Sequence, residues 1–457
     1  MSTNRNQLDA HLTAAQQALH DDGYAIINFS DLALKNENYR VIAYKRKAVL
    51  GRGSYGNVYQ AYPVDPDTGK LIREKKLAVK IYKGTRHVKE SEAIFFNSYY
   101  AGCELISTQQ DMYMVMAYLP GHNLMVNTKN NSSSLLNVEI SQFSFAKRVD
   151  LVSNIMMAIN LVHHNTPNTG NALIHGDING SNIKMHYDEA TGKIDVYIVD
   201  FGLSEKIDDD PNKMQVSDMD GTPLFMANEI VEHDRHGIKS DIYALTPVFA
   251  AIFGASNVFS FKNKMRYYEP AYYKTPYDFS GMFLDYPMPA YPLDLEVYIK
   301  KFLGRMQSED FESRPDSDDT LRFFTTLNKL CITYAADPED QDIYACGAKL
   351  AILADGLWRD NEFNQSANGK PERSLFPLPT PAPEHFNFDD PAILTISKSI
   401  VEAAKKSPLT APILRKIINS EGVPASTYEF ILFVRRSNIS KTNENKNDKD
   451  AGVKCGM

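Results

Sequence analysis

The stretch from Ala172 to Leu203, ALIHGDINGSNIKMHYDEATGKIDVYIVDFGL, limits what this chain can fold into more than any other. Asp177 and Asp200 each follow an apolar, β-type run, ALI and VYIV, and a turn-rich hairpin lies between them. A strand-turn-strand segment of this kind brings both acids together, with Asn182 between them in sequence. The spacing of His175, Asp177 and Asn182 fits H-x-D-x-x-x-x-N, and Asp200-Phe201-Gly202 fits D-F-G. A carboxylate that accepts a hydroxyl proton, beside an Asn and an Asp that hold Mg2+, is the equipment of phosphoryl transfer from ATP, where catalysis is positioning and neutralised charge.

The rest of the chain sets the frame. Its 457 residues, 43% of them hydrophobic, are ample for a core, and a formal net charge of -8 argues against a nucleic-acid partner, which needs a basic surface. Cys103, Cys331, Cys346 and Cys455 show no paired spacing, so reduced thiols, a cytoplasmic setting and no metal cluster are expected. The N-terminal residues lack the basic-then-apolar order of a secretory signal. The longest apolar run, Tyr243 to Phe259, is broken by Pro247 and Gly254 and reads as a buried core helix, with no membrane insertion expected.

Upstream of the acids, Leu8 to His20 has an amphipathic helical pattern, while Tyr24 to Tyr44 gives mixed signals. AVLGRGSYGNVYQAY then sets Gly51, Gly53 and Gly56 between two strand-like runs, with Val58 placed to lie on one face of adenine. Glycines there allow tight turns and close approach of N–H groups to phosphate. LAVKIY puts Ala78 and Lys80 in an alternating strand, the alanine leaving room for the base and the lysine reaching the α and β phosphates. A helix follows in HVKESEAIFFNSYYAG, offering Glu92 as the partner of Lys80, with Glu90 as the alternative. DMYMVMAYLPGHNL is an apolar strand ended by Pro120-Gly121, a hinge whose backbone, at Leu119, meets the adenine edge while Met116 borders the back of the pocket. Asn127 to Asn137 reads as a polar loop insertion and Phe145 to His164 as a helix.

Taken in order, LGRGSYGNV, LAVK, the helix glutamate, MAYLPG, HGDINGSN, DFG, GTPLFMANE and SDIYAL resemble the protein kinase superfamily over about residues 43–335. The resemblance implies an α+β, bilobal protein-kinase fold, with a small β-rich N-lobe and a larger helical C-lobe. It implies ATP and Mg2+ as cofactors and a protein substrate modified on Ser or Thr. Carried over by position, Asp177 is the catalytic base, Asn182 and Asp200 hold the metal, and Lys80 with Glu92 positions the phosphates. His175, Phe201 and Phe96 would stack in a hydrophobic column, Asp241 would brace the catalytic loop, and Glu229 would pair with Arg314.

Three positions depart from the family pattern. Gly176 replaces the arginine of H-R-D, Asp218 stands at the usual activation-loop phosphosite, and Asn179 replaces a lysine two residues after the catalytic Asp. The first two imply an activation segment ordered without phosphorylation, with Lys184 or Lys213 as the lysines left to meet a phosphate. HGDINGSN also resembles the loop of aminoglycoside and choline phosphotransferases, and a pseudokinase scaffold is a third reading; GTPLFMANE and SDIYAL favour the protein kinase.

Around that domain, residues 1–42 read as an N-terminal extension and 336–437 as a helical C-terminal extension, with helices at Asp342 to Trp358 and Ala392 to Ile418. The extension either packs on the large lobe or recruits a substrate. SLFPLPTPAPEHFNF is Pro-rich, and the polar tail 438–457 is expected to be disordered. The degenerate HGD and ANE motifs and the short Lys80–Glu92 gap resemble kinases that intracellular bacteria deliver into host cells, implying host cytosol and a host protein substrate.

Overall fold

The computed structural model describes residues 17–28, 41–357 and 391–417, leaving aside positions 54, 66, 84–89, 101, 108–111, 125–137, 165–171, 208–212, 217–219, 285–287, 411–412 and 415. The chain divides into two compact units: residues 1–123, 161–177 and 182–211, and residues 124–160, 178–181 and 212–457. The catalytic stretch therefore groups largely with the N-terminal sheet.

In the first unit, six antiparallel strands form one sheet: β1 (Tyr24–Asn28), β2 (Val41–Arg52), β3 (Gly56–Pro63), β4 (Leu77–Tyr82), β5 (Glu104–Ser107) and β6 (Met112–Ala117), in the order β1-β2-β3-β4-β6-β5. Side chains alternate across its faces. Ile42, Tyr44, Ala61, Val79, Ile106 and Val115 build a core on one face, and Val41, Ala43 and Val64 build another with Tyr24 and Leu19. The ambiguous Tyr24 to Tyr44 stretch thus supplies a sixth strand, paired from Tyr24↔Lys45 to Asn28↔Val41. Helical residues 17–21 precede it, and the earlier part of the Leu8 to His20 helix lies outside the described residues. Register shifts between Tyr44 and Gly51 bend β2 before the glycine loop, the usual effect of a β-bulge.

The helix Glu90–Tyr99 is tied to the following strand by Asn97, which accepts from the Cys103 N–H (2.7 Å) and donates to its carbonyl (2.6 Å). Ile183–Asp188 and Lys193–Ile198 form the expected hairpin, and His122–Asn123 adds a third strand beside Ile183–Asp188. Leu173–Ile174 pairs with Glu205–Lys206, closing the segment on both sides.

The second unit is helical. Ile238–Ile252 is buried along its whole length, as the apolar run implied, with Pro247 inside it. Among the described residues no helix is long and apolar enough to cross a membrane. Asp294 and Asp316 cap the helices Leu295–Met306 and Ser317–Ala336 through backbone N–H groups at Val297 and Asp319. The C-terminal extension packs on this unit. Its helices Asp342–Ala354 and Pro391–Lys406 lie together, Arg305 donates to the Leu353 carbonyl (2.8 Å), and Asp355 pairs with Lys301 and accepts from the Leu409 N–H. Ile396, Ile400, Val401 and Leu414 are buried with it. The Asn127 to Asn137 insertion, the Pro-rich run and the tail lie outside the described residues.

Candidate active site

Strand register assembles the first half of the site. Val58 stands opposite Lys80, and Ala78 opposite Met116, so four of the residues expected at a nucleotide are cross-strand neighbours. Lys80 is buried; its ammonium donates to Glu92 Oε1 at 2.5 Å and to Asp200 Oδ1 at 3.0 Å. Glu92 is therefore the partner, and Glu90 sits exposed at the start of the same helix. Burial alone would favour neutral Lys80, but Asp200 and Glu92 outweigh it and hold the ammonium above the ordinary lysine value. Burial also pushes the Glu92 carboxyl up, against the pull of Lys80.

Tyr82 completes this cluster, and the sequence reading passed it over. Two residues beyond Lys80 on β4, it faces the same side and donates its hydroxyl to Glu92 Oε2 at 3.0 Å. Burial and the Glu92 charge raise its phenol far above the usual range, which keeps it a donor. Glu92 then has one oxygen on Lys80 and the other on Tyr82. Tyr82→Phe should lower kcat/KM for phosphoryl transfer about tenfold, the cost of leaving one buried carboxylate oxygen unsatisfied. Steady-state rates unchanged from wild type would remove this role.

The hairpin builds the second half. Asn182 precedes it and Val199 ends it, the Val199 N–H donating to the Asn182 carbonyl (2.9 Å), so Asn182 and Asp200 are delivered side by side. Asn182 Nδ2 donates to the Asp177 carbonyl (2.8 Å) and to Asp177 Oδ2 (3.0 Å), leaving its own Oδ1 for another partner. Asp200 sits in the left-handed region, φ 66°, a conformation that Asp tolerates better than most residues and that recurs at functional sites. Phe201 is buried behind it, 5.3 Å from the His175 ring centroid. The ring lying flat on Phe201 is that of Tyr99, at 5.2 Å, while Phe96 meets Tyr100; the expected column is built with a different aromatic. The Asp177 N–H points at His175 Nδ1 (3.3 Å), which leaves Nε2–H to donate to the Val199 carbonyl (3.2 Å).

Gly176 is more than a lost arginine. Its φ is +81°, and a Cβ there would lie 2.5 Å from the Leu203 carbonyl oxygen, so the backbone itself asks for glycine. Gly121 after the hinge is under the same constraint, at φ +88° against the Met185 carbonyl. At the hinge, Lys184 donates to the Leu119 carbonyl at 2.7 Å. That corrects the expectation that Lys184 is available to an activation-loop phosphate: the strand Ile183–Asp188 carries it to the hinge instead.

The second unit holds the residues beyond the acids. Asn179 accepts from the Ser181 N–H (2.8 Å) and donates to Thr222 Oγ1 (3.3 Å), joining the loop to the GTPLFMANE segment. Glu229 pairs with fully buried Arg314 through both oxygens, at 2.6 and 2.8 Å. Gln215–Val216 pairs with Arg235–His236 as a short antiparallel ladder. Asp241 is buried in the helix Ile238–Ile252, and Asp218 lies outside the described residues.

The model of the protein kinase domain matches residues 44–323, more than half of the chain. The chain belongs to the protein kinase family. Similar curated proteins include the mitogen-activated protein kinase kinase kinase A of Dictyostelium discoideum, 28% identical over 233 residues, covering 48% of this chain and 22% of that protein. The serine/threonine-protein kinase pakG of the same organism is 25% identical over 281 residues, covering 60% of this chain and 20% of its own length. Its dual specificity protein kinase shkC is 25% identical over 226 residues, 49% of this chain and 41% of that protein. The kinase spans well under half the length of these relatives.

The family uses ATP with a divalent metal, and the residues present fit that demand. Among the described residues no group of three or more His, Cys, Asp or Glu is placed to hold an ion alone. Asp200 and Asn182 would hold such a metal beside the phosphates, where hard cations take oxygen ligands. The glycine loop lies close above: a Cβ on Gly53 would be in ordinary contact with Asp200 Oδ2, 4.0 Å away. Lys83, also missed from sequence, donates to the Gly53 carbonyl (2.7 Å) and holds that loop.

Proposed function

We propose that this kinase transfers the γ-phosphate of ATP, with Mg2+, to Ser or Thr hydroxyls of a protein substrate. The observation that carries the proposal is the pair of linked clusters Lys80–Glu92–Asp200 and Asp177–Asn182 within one compact unit. Lys80, fixed by Glu92, orients the α and β phosphates. Asp200 and Asn182 would hold the metal, which would supply positive charge to offset the charge on the transferred group. Asp177, kept in place by the Asn182 amide, takes the proton of the attacking hydroxyl as the new O–P bond forms and ADP leaves. A Thr222 tethered to Asn179 supports a Ser/Thr-accepting segment.

Order without phosphorylation is part of the same proposal. The ladder between Gln215–Val216 and Arg235–His236 supports it, because backbone pairing holds the segment where other kinases use an arginine-bound phosphate. The test is transfer from Mg·ATP to a basic protein, with phosphoamino-acid analysis, before and after phosphatase treatment of the enzyme. Labelled Ser or Thr is expected, with rates unchanged within twofold after treatment. Phosphotyrosine alone would overturn the residue class, faster transfer to choline or an aminoglycoside the substrate class, and a tenfold fall restored by rephosphorylation the constitutive reading. Delivery into a host cytosol, with a host protein as substrate, is proposed from the HGD and ANE motifs, the short Lys80–Glu92 gap and the polar tail; a translocation reporter silent during infection would remove it.

A further inference from the structure

Tyr100 makes a contact that the transfer chemistry itself does not use. The helix Glu90–Tyr99 carries Glu92 near its start, and Tyr100 extends its ladder by one bond, the N–H donating to the Phe96 carbonyl (2.8 Å). Two turns of helix, about 12 Å, separate the two positions. Lys193–Ile198, the strand that leads to Asp200, is the edge of its three-stranded sheet. The Val199 N–H is committed to the Asn182 carbonyl, so in the antiparallel pattern the backbone groups of Ile198 turn to the open edge. The Tyr100 hydroxyl meets both of them. It donates to the Ile198 carbonyl at 3.0 Å and accepts from the Ile198 N–H at 2.9 Å, so one side chain does there what a neighbouring strand would do. Ile198 is buried, and without that hydroxyl two backbone polar groups would be left unsatisfied. Burial raises the Tyr100 phenol above the ordinary tyrosine value, which keeps the proton on the hydroxyl.

We propose that Tyr100 is a positioning residue for phosphoryl transfer: its hydroxyl latches the glutamate helix to the Asp200 strand and so keeps Glu92 on Lys80. The inference deepens the kinase reading proposed above and rests on it. Lys80 holds Glu92 and Asp200 at once, at 2.5 and 3.0 Å, yet the two acids stand on different elements, one in the helix and one just past the strand. A pivot of the helix against that strand would draw Glu92 off the ammonium. The Asn97 bonds to Cys103 tie the helix to the strand that follows it, whereas the Tyr99–Tyr100 end is what reaches the strand of Asp200. Tyr99 lies flat on Phe201, and stacked rings can slide; the Tyr100 hydroxyl fixes the register, because it needs the donor and the acceptor of one residue together. Helix and strand alone make this latch, with no part taken by a phosphate or by the activation segment. A tie that served folding alone would lower the melting temperature and leave turnover of the folded enzyme unchanged.

The experiment compares the full chain with Tyr100→Phe and Tyr197→Phe, by steady-state transfer from Mg·ATP to a basic protein and by amide hydrogen exchange read at single residues. Tyr100→Phe keeps the ring against Phe96 and Tyr197 and removes the hydroxyl. Tyr197, whose ring centroid lies 6.0 Å from that of Tyr100, is the control, since the latch does not use its hydroxyl. In wild type the Ile198 amide should exchange at least about 100-fold more slowly than in an unfolded peptide. Tyr100→Phe should lose that protection and lower kcat at least about tenfold, with the KM for Mg·ATP within about threefold, while Tyr197→Phe matches wild type. A smaller fall in kcat, or an equal fall in Tyr197→Phe, overturns the inference and leaves the kinase reading standing. The wild-type arm decides even if Tyr100→Phe does not fold: Ile198 and the helix amides of Phe95 to Tyr99 should open together, at rates within about threefold, and independent opening overturns the latch. No transfer by wild type overturns the kinase reading and the role of Tyr100 in it.

Discussion

Asp177→Asn is expected to lower kcat for phosphoryl transfer by about 10²- to 10⁴-fold, the range of a positioned general base. The substitution is close to isosteric, and an Asn side chain still offers an oxygen to the Asn182 amide now 3.0 Å from Asp177 Oδ2. What disappears is the ability to take a proton. Nucleotide affinity should stay within a few-fold, because Lys80, Glu92 and Asp200 form their own cluster without Asp177. Single-turnover transfer beside direct binding measurements separates the two effects. Turnover equal to wild type would eliminate Asp177 as base and the mechanism with it.

The second large effect belongs to stability. Arg314 is fully buried, donating to Glu229 through Nη1 (2.6 Å) and Nη2 (2.8 Å), to Ser308 O through Nε (2.6 Å), and stacking 4.8 Å from the Tyr243 ring centroid. Ser240 Oγ also donates to Glu229 Oε1, so the carboxylate satisfies three donors. Glu229→Gln removes the charge and turns an amide donor toward the guanidinium. Leaving a buried cation uncompensated costs about 3–5 kcal/mol. In a unit of this size that corresponds to a drop in Tm on the order of 10 °C. The double variant Glu229→Leu, Arg314→Met should recover much of it, since no charge is then stranded. Thermal unfolding of the three proteins decides the matter: a single variant within 2 °C of wild type would mean that the pair contributes little.

What could be read in the chain beforehand follows from how local its causes are. Lys80, Asp177, Asn182 and Asp200 are fixed by short motifs and by a hairpin whose turn chemistry is explicit, with Asp188 accepting from Ala190 and Thr191. The choice between Glu90 and Glu92 needed the rotation of one helix. Tyr82 was within reach of the strand period, since it stands two residues beyond Lys80. Strand Tyr24–Asn28 was not, because its pairing lies across a gap in sequence and strand formation depends on its partner. Lys184 meets a carbonyl that is 65 positions away, and the ladder of Gln215–Val216 has two residues on each side; neither leaves a periodic trace. Phe96 was assigned from the family resemblance, whereas packing set Tyr99 against Phe201.

The docking of the C-terminal helices has a consequence for anyone who would cut this protein at its family boundary. The family match stops at residue 323, inside the helix Ser317–Ala336, yet the larger unit continues through Ile343, Leu350, Leu353, Ile396 and Ile400, all buried. A fragment trimmed there would bare the apolar side of Leu295–Met306 and take the Leu353 carbonyl away from Arg305. Such a fragment would carry every catalytic residue and still behave as a damaged protein, sticky and short-lived. The natural cutting point lies past Leu414, because the catalytic lineage and the cooperative folding unit end at different places in this chain.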